Sequence, residues 1–329
     1  MAESSTILNQ LARVLESESG FSKENACVAL KNLTLVKENA IFISSRGGIA
    51  SLLEICGSGT PSAVAVAAGV LRNLAGVQEL RQSCLEENAV PVLIRVLKSG
   101  TVIAQENSMG CLCNLAAGTD DDYSIKIAIF KEGVLDCMMD YMEGDRNSQP
   151  AIGLLRNLAS LKYISDIIQS SELFIRVILE LDSSSPGTRT EAARAITELN
   201  SKSRKEIVNA IPKLVRMMEA KGSEEKEAAA EALASILKSS SGMKREFRKE
   251  ERGIVNAVML LDPLVGDVEK KYVIEVLLSV SQSRKSRRQM VALGACVFLK
   301  RLAGMEVEGA KKLLECLEKG KFLGVFPRN

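Results

Sequence analysis

The chain has 329 residues, of which 46% are hydrophobic and 26% charged, with 43 basic side chains against 41 acidic ones. This length exceeds a typical single globular domain, so the chain is either two domains or one extended array of repeats. Histidine is absent, which excludes Ser-His and Cys-His catalytic pairs and every histidine-containing zinc site. Aromatic residues make up only 4% and tryptophan is absent, so few rings are available to stack on single-stranded nucleic acid.

The cysteines and the N-terminal residues bear on the compartment. Eight cysteines include no C-x-x-C pair and lie mostly in apolar helical stretches, which is typical of reduced core residues. The first residues, MAESSTILNQ, lack the basic start of a signal peptide. The longest apolar run, residues 63–71, is far shorter than the roughly 18 residues that span a membrane. These features favour the cytosol, the nucleus or both.

A motif that ends in Asn-Leu recurs along the chain. It reads CVALKNLT at 27–34, AAGVLRNLA at 67–75, SMGCLCNLA at 108–116 and AIGLLRNLA at 151–159. The asparagines are separated by 41, 41 and 43 residues, and the equivalent later positions are Glu198, Ser235 and Ser279. A period of about forty residues predicts a stack of helical repeats.

Glycines provide a second marker with the same period. Each follows an apolar helical stretch, and they are Gly59, Gly100, Gly144, Gly187, Gly222, Gly266 and Gly304. The first six are followed in turn by Thr60, Thr101, Asp145, Thr188, Ser223 and Asp267. This pairing predicts that one helix stops at a left-handed glycine and that the next residue caps the N-terminus of another helix.

A small residue before an apolar start provides a third marker. It occurs in SSRGGIASLL, EENAVPVLI, FKEGVLDCM, VNAIPKLV, ERGIVNAV and ALGACVFL. Each repeat is therefore predicted to contain a short first helix, a second helix that ends at the glycine, and a third helix that ends in the Asn motif. One repeat cannot bury its apolar surface alone, so the predicted fold is an all-α, right-handed superhelical solenoid of about seven repeats.

The predicted borders follow these markers in chain order. The units are 1–34, 35–75, 76–117, 118–160, 161–200, 201–238, 239–281 and a partial 282–309, followed by a capping helix and tail at 310–329. The first unit lacks a first helix. Two explanations stay open for its apolar residues Ile7, Leu8, Leu11 and Leu15: a tolerated cap, or the loss of an upstream segment.

Together these markers resemble the armadillo repeat over residues 3 to about 309. The tail from SRKSRRQMVALG onward is similar to the C-termini of plant armadillo proteins related to the U-box and vacuolar groups, although no U-box sequence is visible. The resemblance implies a non-catalytic scaffold or adaptor for protein partners. The alternative is the substrate-recognition arm of a ubiquitin ligase whose U-box is supplied elsewhere.

The resemblance also implies a ligand surface. In armadillo proteins the third helices line a groove in which motif asparagines hydrogen-bond the backbone of an extended or disordered segment. The matching residues, called the asparagine ladder below, are Asn32, Asn73, Asn114 and Asn157. Asparagine bonding to the neighbouring repeat is the open alternative.

Residues beside the ladder refine this expectation. Lys31, Arg72 and Arg156 precede three of the asparagines and either pair with acidic or phosphorylated ligand residues or are solvated charges. Importin-α-type repeats have a tryptophan four residues before the asparagine, where this chain has Val28, Gly69, Gly110 and Gly153. This difference disfavours a nuclear-import receptor. The glycines leave room either for a ligand chain or for tight packing of the next helix.

Charge is distributed unevenly along the chain. Residues 1–150 carry 12 basic and 18 acidic side chains, whereas the remaining residues carry 31 and 23. Much of the excess lies at predicted starts of first helices, in KSRKE, KREFRKEER and RKSRR. We call this set the basic ridge; it consists of Lys205, Lys244, Arg245, Arg248, Arg284, Arg287 and Arg288. It is a candidate contact for an acidic partner, anionic lipid or nucleic-acid phosphate, or else a solvated helix face.

Other motifs point away from catalysis. The glycine-rich CGSGTP at 56–61 and KSGT at 98–101 lack the following G-K-[ST] of a phosphate loop. Asp120, Asp121 and Asp122 fit a helix start better than a metal site. Cys111 and Cys113 lie two apart on a helix and so do not face one another. We predict no enzymatic activity, no cofactor, no metal and no small-molecule substrate.

Overall fold

The computed structural model describes residues 2–118, 123–144, 146–199, 205–266 and 268–322. These residues form α-helices and two short 3-10 helices, and no strand occurs among them. The all-α class predicted from the sequence is therefore confirmed. The chain forms two compact units, unit 1 at residues 1–165 and unit 2 at residues 166–329.

Unit 1 consists of short helices in a repeating order. They are α1 (Ala2–Leu15), α2 (Gly20–Leu33), α3 (Lys37–Ser44), α4 (Gly48–Ser58), α5 (Pro61–Gly76), a 3-10 turn (Gln78–Leu80), α6 (Arg81–Glu86), α7 (Ala89–Ser99), α8 (Val102–Ala116), α9 (Ser124–Lys131), α10 (Val134–Glu143) and α11 (Gln149–Ala159). Helices α3, α6 and α9 are first helices, α1, α4, α7 and α10 are second helices, and α2, α5, α8 and α11 are third helices. Consecutive third helices pack against one another.

Unit 2 repeats the same order. After α12 (Lys162–Ser170), which includes the border between the units, come α13 (Glu172–Glu180), α14 (Pro186–Leu199), a 3-10 helix (Lys205–Asn209), α15 (Ala210–Met217), α16 (Ser223–Ser239), α17 (Ser241–Phe247), α18 (Gly253–Leu260), α19 (Lys270–Val280), α20 (Arg284–Ala292), α21 (Ala295–Gly304) and α22 (Ala310–Phe322). Its third helices are α14, α16 and α19, which again pack in sequence.

The third helices pack against neighbours on several sides because many of their residues are small or apolar. In α5, Ala67, Ala68, Leu71 and Leu74 are fully buried, since the helix packs against α2, α4 and α8. Alanine lets helix axes approach closely, and each buried leucine contributes roughly 1.5–3 kcal/mol through loss of apolar surface from water. Stacking of repeats thus supplies the core that one repeat lacks.

The predicted N-caps between second and third helices are confirmed at two positions. The Thr60 hydroxyl accepts from the backbone N–H of Ala63 at 3.2 Å, and the Thr101 hydroxyl accepts from that of Ala104 at 3.3 Å. Pro61 occupies the first turn of α5, where its missing N–H has no intrahelical acceptor. Asp145 and Asp267 lie outside the described residues.

The predicted left-handed glycines at these stops are wrong. Gly59, Gly100 and Gly144 end α4, α7 and α10 with φ between −75° and −78° and extended ψ. Glycine is needed at the first two for another reason, namely close approach. A Cβ on Gly59 would lie 2.6 Å from the carbonyl oxygen of Ile55, and one on Gly100 would lie equally close to that of Val96.

Left-handed backbone occurs instead at the corner between first and second helices. Gly47, Gly133 and Gly294 have φ of 75°, 76° and 82°, and Asn88 has φ of 56°. These residues precede α4, α10, α21 and α7. The small-residue marker therefore reports a backbone requirement, because glycine and asparagine tolerate this region best.

Later glycine positions depart further from the prediction. Gly187 lies inside the first turn of α14, so Thr188 follows a helix start rather than a helix stop. Gly222 is itself the N-cap of α16, and Ser223 is the first helical residue. Helix α18 ends at Leu260, several residues before Gly266. Only at Gly304, the last residue of α21, does the later pattern coincide with a helix end.

The first and last helices each bury part of their side chains. In α1, Leu8 and Leu15 are buried, Leu11 is half-buried and Ile7 is exposed. In α22, Leu313 and Leu317 are buried and the helix packs against α19, α20 and α21, while its charged residues Lys311, Lys312 and Glu315 are exposed.

The cysteine thiols of unit 1 belong mainly to its core. Burial raises the pKa of Cys27, Cys56 and Cys84 to about 12, and it raises the pKa of fully buried Cys111 well above its usual value. All eight cysteines are free thiols. Among the described residues no single helix is long and apolar enough to cross a membrane, and the one pair that passes jointly, α3 with α4, is bent by 80°.

Candidate functional site

The asparagine ladder lies in the last turns of the third helices of unit 1. Asn32 belongs to α2, Asn73 to α5, Asn114 to α8 and Asn157 to α11. Asn32 is exposed, and the other three are half-buried. The repeat period of about forty residues therefore places one amide near the end of each third helix of unit 1.

Three ladder amides join consecutive third helices. The side-chain Nδ2 of Asn73 donates to the carbonyl oxygen of Lys31 at 2.7 Å. Asn114 donates to the carbonyl of Arg72 at 2.9 Å, and Asn157 to that of Cys113 at 3.1 Å. In every case the acceptor directly precedes the ladder asparagine of the previous repeat. These bonds match the alternative in which the asparagines hold neighbouring repeats together.

The same bonds orient the rest of each amide. A carbonyl acceptor requires the NH2 group to face it, so Oδ1 points the other way. The second N–H of Asn73 also has a partner, the hydroxyl of buried Thr34 at 3.1 Å. The Oδ1 atoms of Asn73, Asn114 and Asn157 accept no hydrogen bond from any described residue. Within the same residues the side chain of Asn32 has no hydrogen-bond partner.

The glycines before the ladder asparagines accommodate side chains of the preceding repeat. A Cβ on Gly69 would lie 3.1 Å from Cε of Lys31, and a Cβ on Gly110 would lie 2.5 Å from Nε of Arg72. The stems of Lys31 and Arg72 therefore lie against the next third helix. Of the two alternatives left by the sequence, packing between helices is the one that the structure contains at these glycines.

A cleft of about 520 Å³ lies beside Asn73 and Asn114. Arg72 also lines it and is exposed, while Leu35 presents 73% of its surface to solvent at the edge. Lys37 and Glu79 form an ion pair across the cleft, and the hydrogen bond from Lys37 lowers the pKa of Glu79. The cleft thus combines amide acceptors, one cation without a salt bridge in the described residues, and apolar surface.

The equivalent positions in unit 2 are different. Glu198 is exposed, and Ser235 and Ser279 are half-buried. Instead of an amide, an ion pair joins α14 to α16: Arg189 contacts buried Glu225 through Nε at 2.5 Å and Nη2 at 3.0 Å. The hydrogen bond to Glu225 raises the pKa of Arg189. Arg156, the last predicted groove cation, is half-buried on α11.

The first part of the basic ridge is partly neutralised. Arg245 is exposed and lies 3.5 Å from Glu246, which also accepts from Lys249 at 2.7 Å. The bond from Lys249 lowers the pKa of Glu246. Nε of Arg248 donates to the carbonyl of Lys244 at 3.2 Å. Lys205 begins the 3-10 helix of unit 2, but its side chain lies outside the described residues, as do residues 202–204.

The second part of the ridge contains a side chain with a clear structural role. Arg284 and Arg288 are exposed, whereas Nη1 of Arg287 donates to the carbonyls of Ser281 at 2.7 Å and Gln282 at 3.2 Å. These carbonyls follow the end of α19, where a cation also complements the helix dipole. Arg287 therefore holds the end of the preceding third helix.

Basic side chains on first helices of unit 1 also bind carbonyls at the end of the preceding third helix. Nε of Arg81 in α6 donates to the carbonyl of Ala75 at 3.2 Å, and Nζ of Lys126 in α9 donates to that of Gly118 at 3.0 Å. Each carbonyl lies at or just after the end of a third helix. Arg81, Lys126 and Arg287 thus make equivalent bonds. In the sequence they have no common motif and could not be told apart from other surface charges.

Two further asparagines outside the motif make similar bonds. Asn107 in α8 donates to the carbonyl of Ala65 at 2.8 Å, and Asn256 in α18 donates to that of Val215 at 3.0 Å. Both are buried. The repeat motif gives no signal for either residue, because Asn107 lies in the middle of a third helix and Asn256 in a second helix.

The remaining candidate motifs have structural settings. Residues 56–61 form the end of α4, the turn and the start of α5. Cys111 is buried and Cys113 half-buried. No group of three or more potential metal-ligating residues is found in the part of the chain that the structure describes, and Asp120–Asp122 lie outside that part.

Comparison with solved structures shows which known fold the chain shares. An engineered protein superposes with a TM-score of 0.79 at 20% identity, over 94% of this chain and 77% of the other. A designed armadillo repeat protein gives 0.62 at 18% identity, over 70% of this chain and 99% of the other. The fold is thus that of an armadillo-type helical solenoid.

A natural example shares the same fold. A structure from work on a phosphorylation switch that controls the interaction between cadherin and β-catenin gives a TM-score of 0.74 at 17% identity, over 94% of this chain and 60% of the other. No protein-family model matches the sequence, and no curated protein is significantly similar to it.

Proposed function

We propose that the chain is a non-catalytic interaction scaffold that binds an extended segment of a protein partner across the third helices of unit 1. The observation that carries this proposal is the row of Oδ1 atoms on Asn73, Asn114 and Asn157, which accept nothing from the described residues. An extended segment offers unpaired backbone N–H groups that such a row accepts without regard to side chains. The β-catenin structure, from work on a protein–protein interaction, supports a protein partner.

The hydrogen bonds within the ladder change the expected mode of recognition. An isolated asparagine donates and accepts at once, but these three amides already donate to the preceding helix. They therefore contribute acceptors to a ligand. Asn114 keeps its second N–H as a donor, and only Asn32, whose side chain has no partner among the described residues, offers the whole amide. The ligand is read mainly through its N–H groups.

The cleft adds a preference for particular ligand side chains to this recognition of the ligand backbone. Exposed Arg72 provides a cation for a carboxylate or phosphate, and Leu35 provides an apolar surface within the same cleft. Lys37 is neutralised by Glu79. A segment with an acidic residue next to an aliphatic one fits this arrangement best.

The experiment begins with peptides of about twelve residues selected from a random library on the immobilised full chain. Binding of one selected peptide is then measured by fluorescence anisotropy for wild type and Asn32→Ala. Asn32→Ala removes an amide that holds no neighbouring helix, so binding weakens by roughly threefold to tenfold while the melting temperature stays the same. Lys285→Ala, in an exposed position of α20 in unit 2, serves as the control.

Backbone N-methylation of the peptide tests the mechanism directly. Methylation removes one N–H donor at a time, so alternate positions along an extended peptide lose affinity. A peptide whose affinity is insensitive to every N-methyl group, or equal affinity of wild type and Asn32→Ala, contradicts the ladder as a ligand surface.

A second candidate function is an adaptor that contacts an acidic partner through the basic ridge. It is supported by the exposure of Arg245, Arg284 and Arg288. Arg287 is excluded from the test because it holds the end of α19. Charge reversal of the three exposed arginines to Glu, with binding to poly-glutamate followed at rising salt, supports this function if affinity disappears and contradicts it if affinity is unchanged. A ubiquitin-ligase recognition arm remains the further proposal that the sequence suggested.

A further inference from the structure

A cavity of about 610 Å³ lies in unit 2, away from the asparagine ladder. Its walls come from the third helices α16 and α19, from the end of α21, from the turn at residues 305–309 and from the start of α22. Leu278 and Val307 supply apolar surface. This volume is within the range of pockets that hold small molecules.

The turn that forms one wall is well defined by hydrogen bonds and packing. The backbone N–H of Val307 donates to the carbonyl of Leu302 at 3.0 Å. Glu306 has a left-handed φ of 59° and Gly309 has φ of 78°. A Cβ on Gly309 would lie 3.0 Å from a methyl carbon of Ile274, so the turn packs tightly on α19. A non-glycine residue in this backbone region is uncommon and often marks a functional site.

Four lysines from three helices line the cavity: Lys238, Lys271, Lys311 and Lys312. None forms an ion pair with a carboxylate in the described part of the chain. Lys271 lies over the ring of Tyr272, 4.9 Å from its centroid. Lys238, Lys311 and Lys312 are exposed and Lys271 is half-buried, so their ammonium groups are accessible to an anion that enters from solvent.

Three glutamates also line the cavity: Glu275, Glu306 and Glu308. They too lack an ion pair among the described residues, although lysines share the cavity with them. Elsewhere in unit 2 neighbouring charges do pair, as Lys213 does with Asp182 at 2.8 Å and Arg252 does with Glu219 at 3.0 Å. The cavity therefore presents separate donors and acceptors to a ligand.

The types of residue indicate the ligand chemistry. Lysine is a point charge that suits a tetrahedral phosphate, whereas a planar carboxylate is better matched by arginine, and no arginine of the described residues lines this cavity. Carboxylates accept hydrogen bonds from hydroxyl groups. No described aromatic ring lines the cavity, so a nucleobase would find no stacking partner.

We propose that this cavity binds a phosphorylated polyol, with the four lysines on its phosphate groups and the three glutamates on its hydroxyls. The shared chemistry is a ring or chain of hydroxyl-bearing carbons with at least two phosphate monoesters. It occurs both in soluble inositol phosphates and in phosphoinositide headgroups. The proposal is independent of peptide binding by unit 1.

The first test titrates inositol 1,4,5-trisphosphate into the full chain by calorimetry at near-physiological salt, with myo-inositol as the unphosphorylated control. Lys271→Ala/Lys312→Ala is expected to weaken binding by about tenfold or more. The matched control Lys221→Ala/Lys285→Ala removes the same charge from exposed positions of unit 2 outside the cavity and is expected to change affinity by less than about twofold. Absence of binding to wild type, or equal losses in both variants, overturns the proposal.

The second test separates hydroxyl recognition from charge alone. Glu275→Ala/Glu308→Ala removes negative charge, so affinity for pyrophosphate, which has no hydroxyl-bearing carbon, should rise. Affinity for inositol trisphosphate should fall, because its hydroxyls lose their acceptors. Opposite changes support a polyol site. Parallel increases for both probes leave a phosphate site without polyol recognition and overturn the proposal as stated.

The third test distinguishes the two sources. Vesicles with phosphatidylinositol 4,5-bisphosphate are compared in sedimentation with vesicles of phosphatidylserine at matched charge. Binding to the first that Lys271→Ala/Lys312→Ala abolishes identifies a headgroup ligand, whereas binding of trisphosphate without sedimentation identifies a soluble one. Equal sedimentation with both lipids, unchanged in the variant, shows that charge elsewhere attracts the membrane and contradicts a headgroup ligand.

Discussion

The third helices of the two units follow one sequence frame but are joined by different interactions. In unit 1 the frame residue is an asparagine whose amide reaches the preceding helix. In unit 2 the frame residues Glu198, Ser235 and Ser279 make no such bond among those recorded for the described residues, and α14 is joined to α16 by Arg189 and Glu225. The same position of the repeat thus lies near the end of a third helix in both units, whereas different interactions hold that helix to its neighbour.

This difference has a consequence for ligand binding. Neutral amides leave unit 1 with a row of acceptors suited to backbone N–H groups. Lysines and glutamates line a cavity in unit 2, for which we propose a compact anion with hydroxyls. The same architecture therefore presents two surfaces of different chemistry.

The largest expected effect comes from removing the amide bonds together. Asn73→Ala/Asn114→Ala/Asn157→Ala should lower the free energy of unfolding by about 3 kcal/mol, roughly 1 kcal/mol for each lost bond. Urea denaturation followed by circular dichroism measures the loss. Ser235→Ala/Ser279→Ala at equivalent positions of unit 2 is the control and should change stability by less than about 0.5 kcal/mol. Equal losses in the two sets contradict the comparison.

Arg189→Ala should have the next largest effect. It leaves buried Glu225 without its partner and also removes bonds to the carbonyls of Ser183 and Ser184, so stability should fall by about 2–3 kcal/mol. Lys is a poor replacement because it lacks the fork that contacts both oxygens. Hydrogen exchange should show the loss in α14 and α16. Uniform exchange in both units would argue against a local role.

Alkaline pH should weaken unit 1 through its buried thiols. The pKa of Cys84 rises from 9.0 to about 12 because of burial, so above pH 9 the unfolded chain loses this proton first and folding becomes less favourable up to pH 12. Each such thiol lowers stability by on the order of 1 kcal/mol at pH 10. Cys84→Ala should reduce the stability difference between pH 8 and pH 10 by that amount. An unchanged difference would show that Cys84 titrates normally.

The smallest expected effect concerns the packing of Arg72 over Gly110. Alanine favours a helix over glycine by about 1 kcal/mol, but a Cβ here displaces the Arg72 side chain. Gly110→Ala alone should therefore change stability little. In the Arg72→Ala background it should stabilise by up to about 1 kcal/mol, and a double-mutant cycle measures the coupling. No coupling means that Arg72 moves aside freely.

Local chemistry was the part of the fold that the sequence predicted best. Thr60 and Thr101 act as predicted caps because a cap and its partner N–H are three residues apart. The recurring motif also locates the ends of the third helices of unit 1, which lie one to three residues after its asparagine. The predicted borders of the individual repeats stay a prediction.

Glycine shows where local reasoning fails. A pattern indicates that glycine is required but not why. At Gly59 the reason is the distance to a carbonyl, whereas at Gly47 it is a positive φ. The two requirements depend on backbone geometry that the sequence does not contain.

Contacts between repeats could not be predicted from the sequence for a different reason. The motif placed Asn114 on the right surface, but the carbonyl that it binds lies 42 residues away. The residues of the cavity, from Ala234 to Lys312, are spread over four helices and a turn and form no motif. Arg287 lies in a basic cluster in sequence, yet its guanidinium binds a helix end.

The separations between bonded residues in the ladder carry a last consequence. The bond spans 42 residues from Asn73 to Lys31 and from Asn114 to Arg72, but 44 from Asn157 to Cys113. The alignment of the ladder amides therefore depends on how the third helices pack and not on the number of residues between them. Connecting segments in unit 1 are free to lengthen or shorten by insertion and deletion while the ladder stays aligned, so its repeats can diverge in length without losing a common surface.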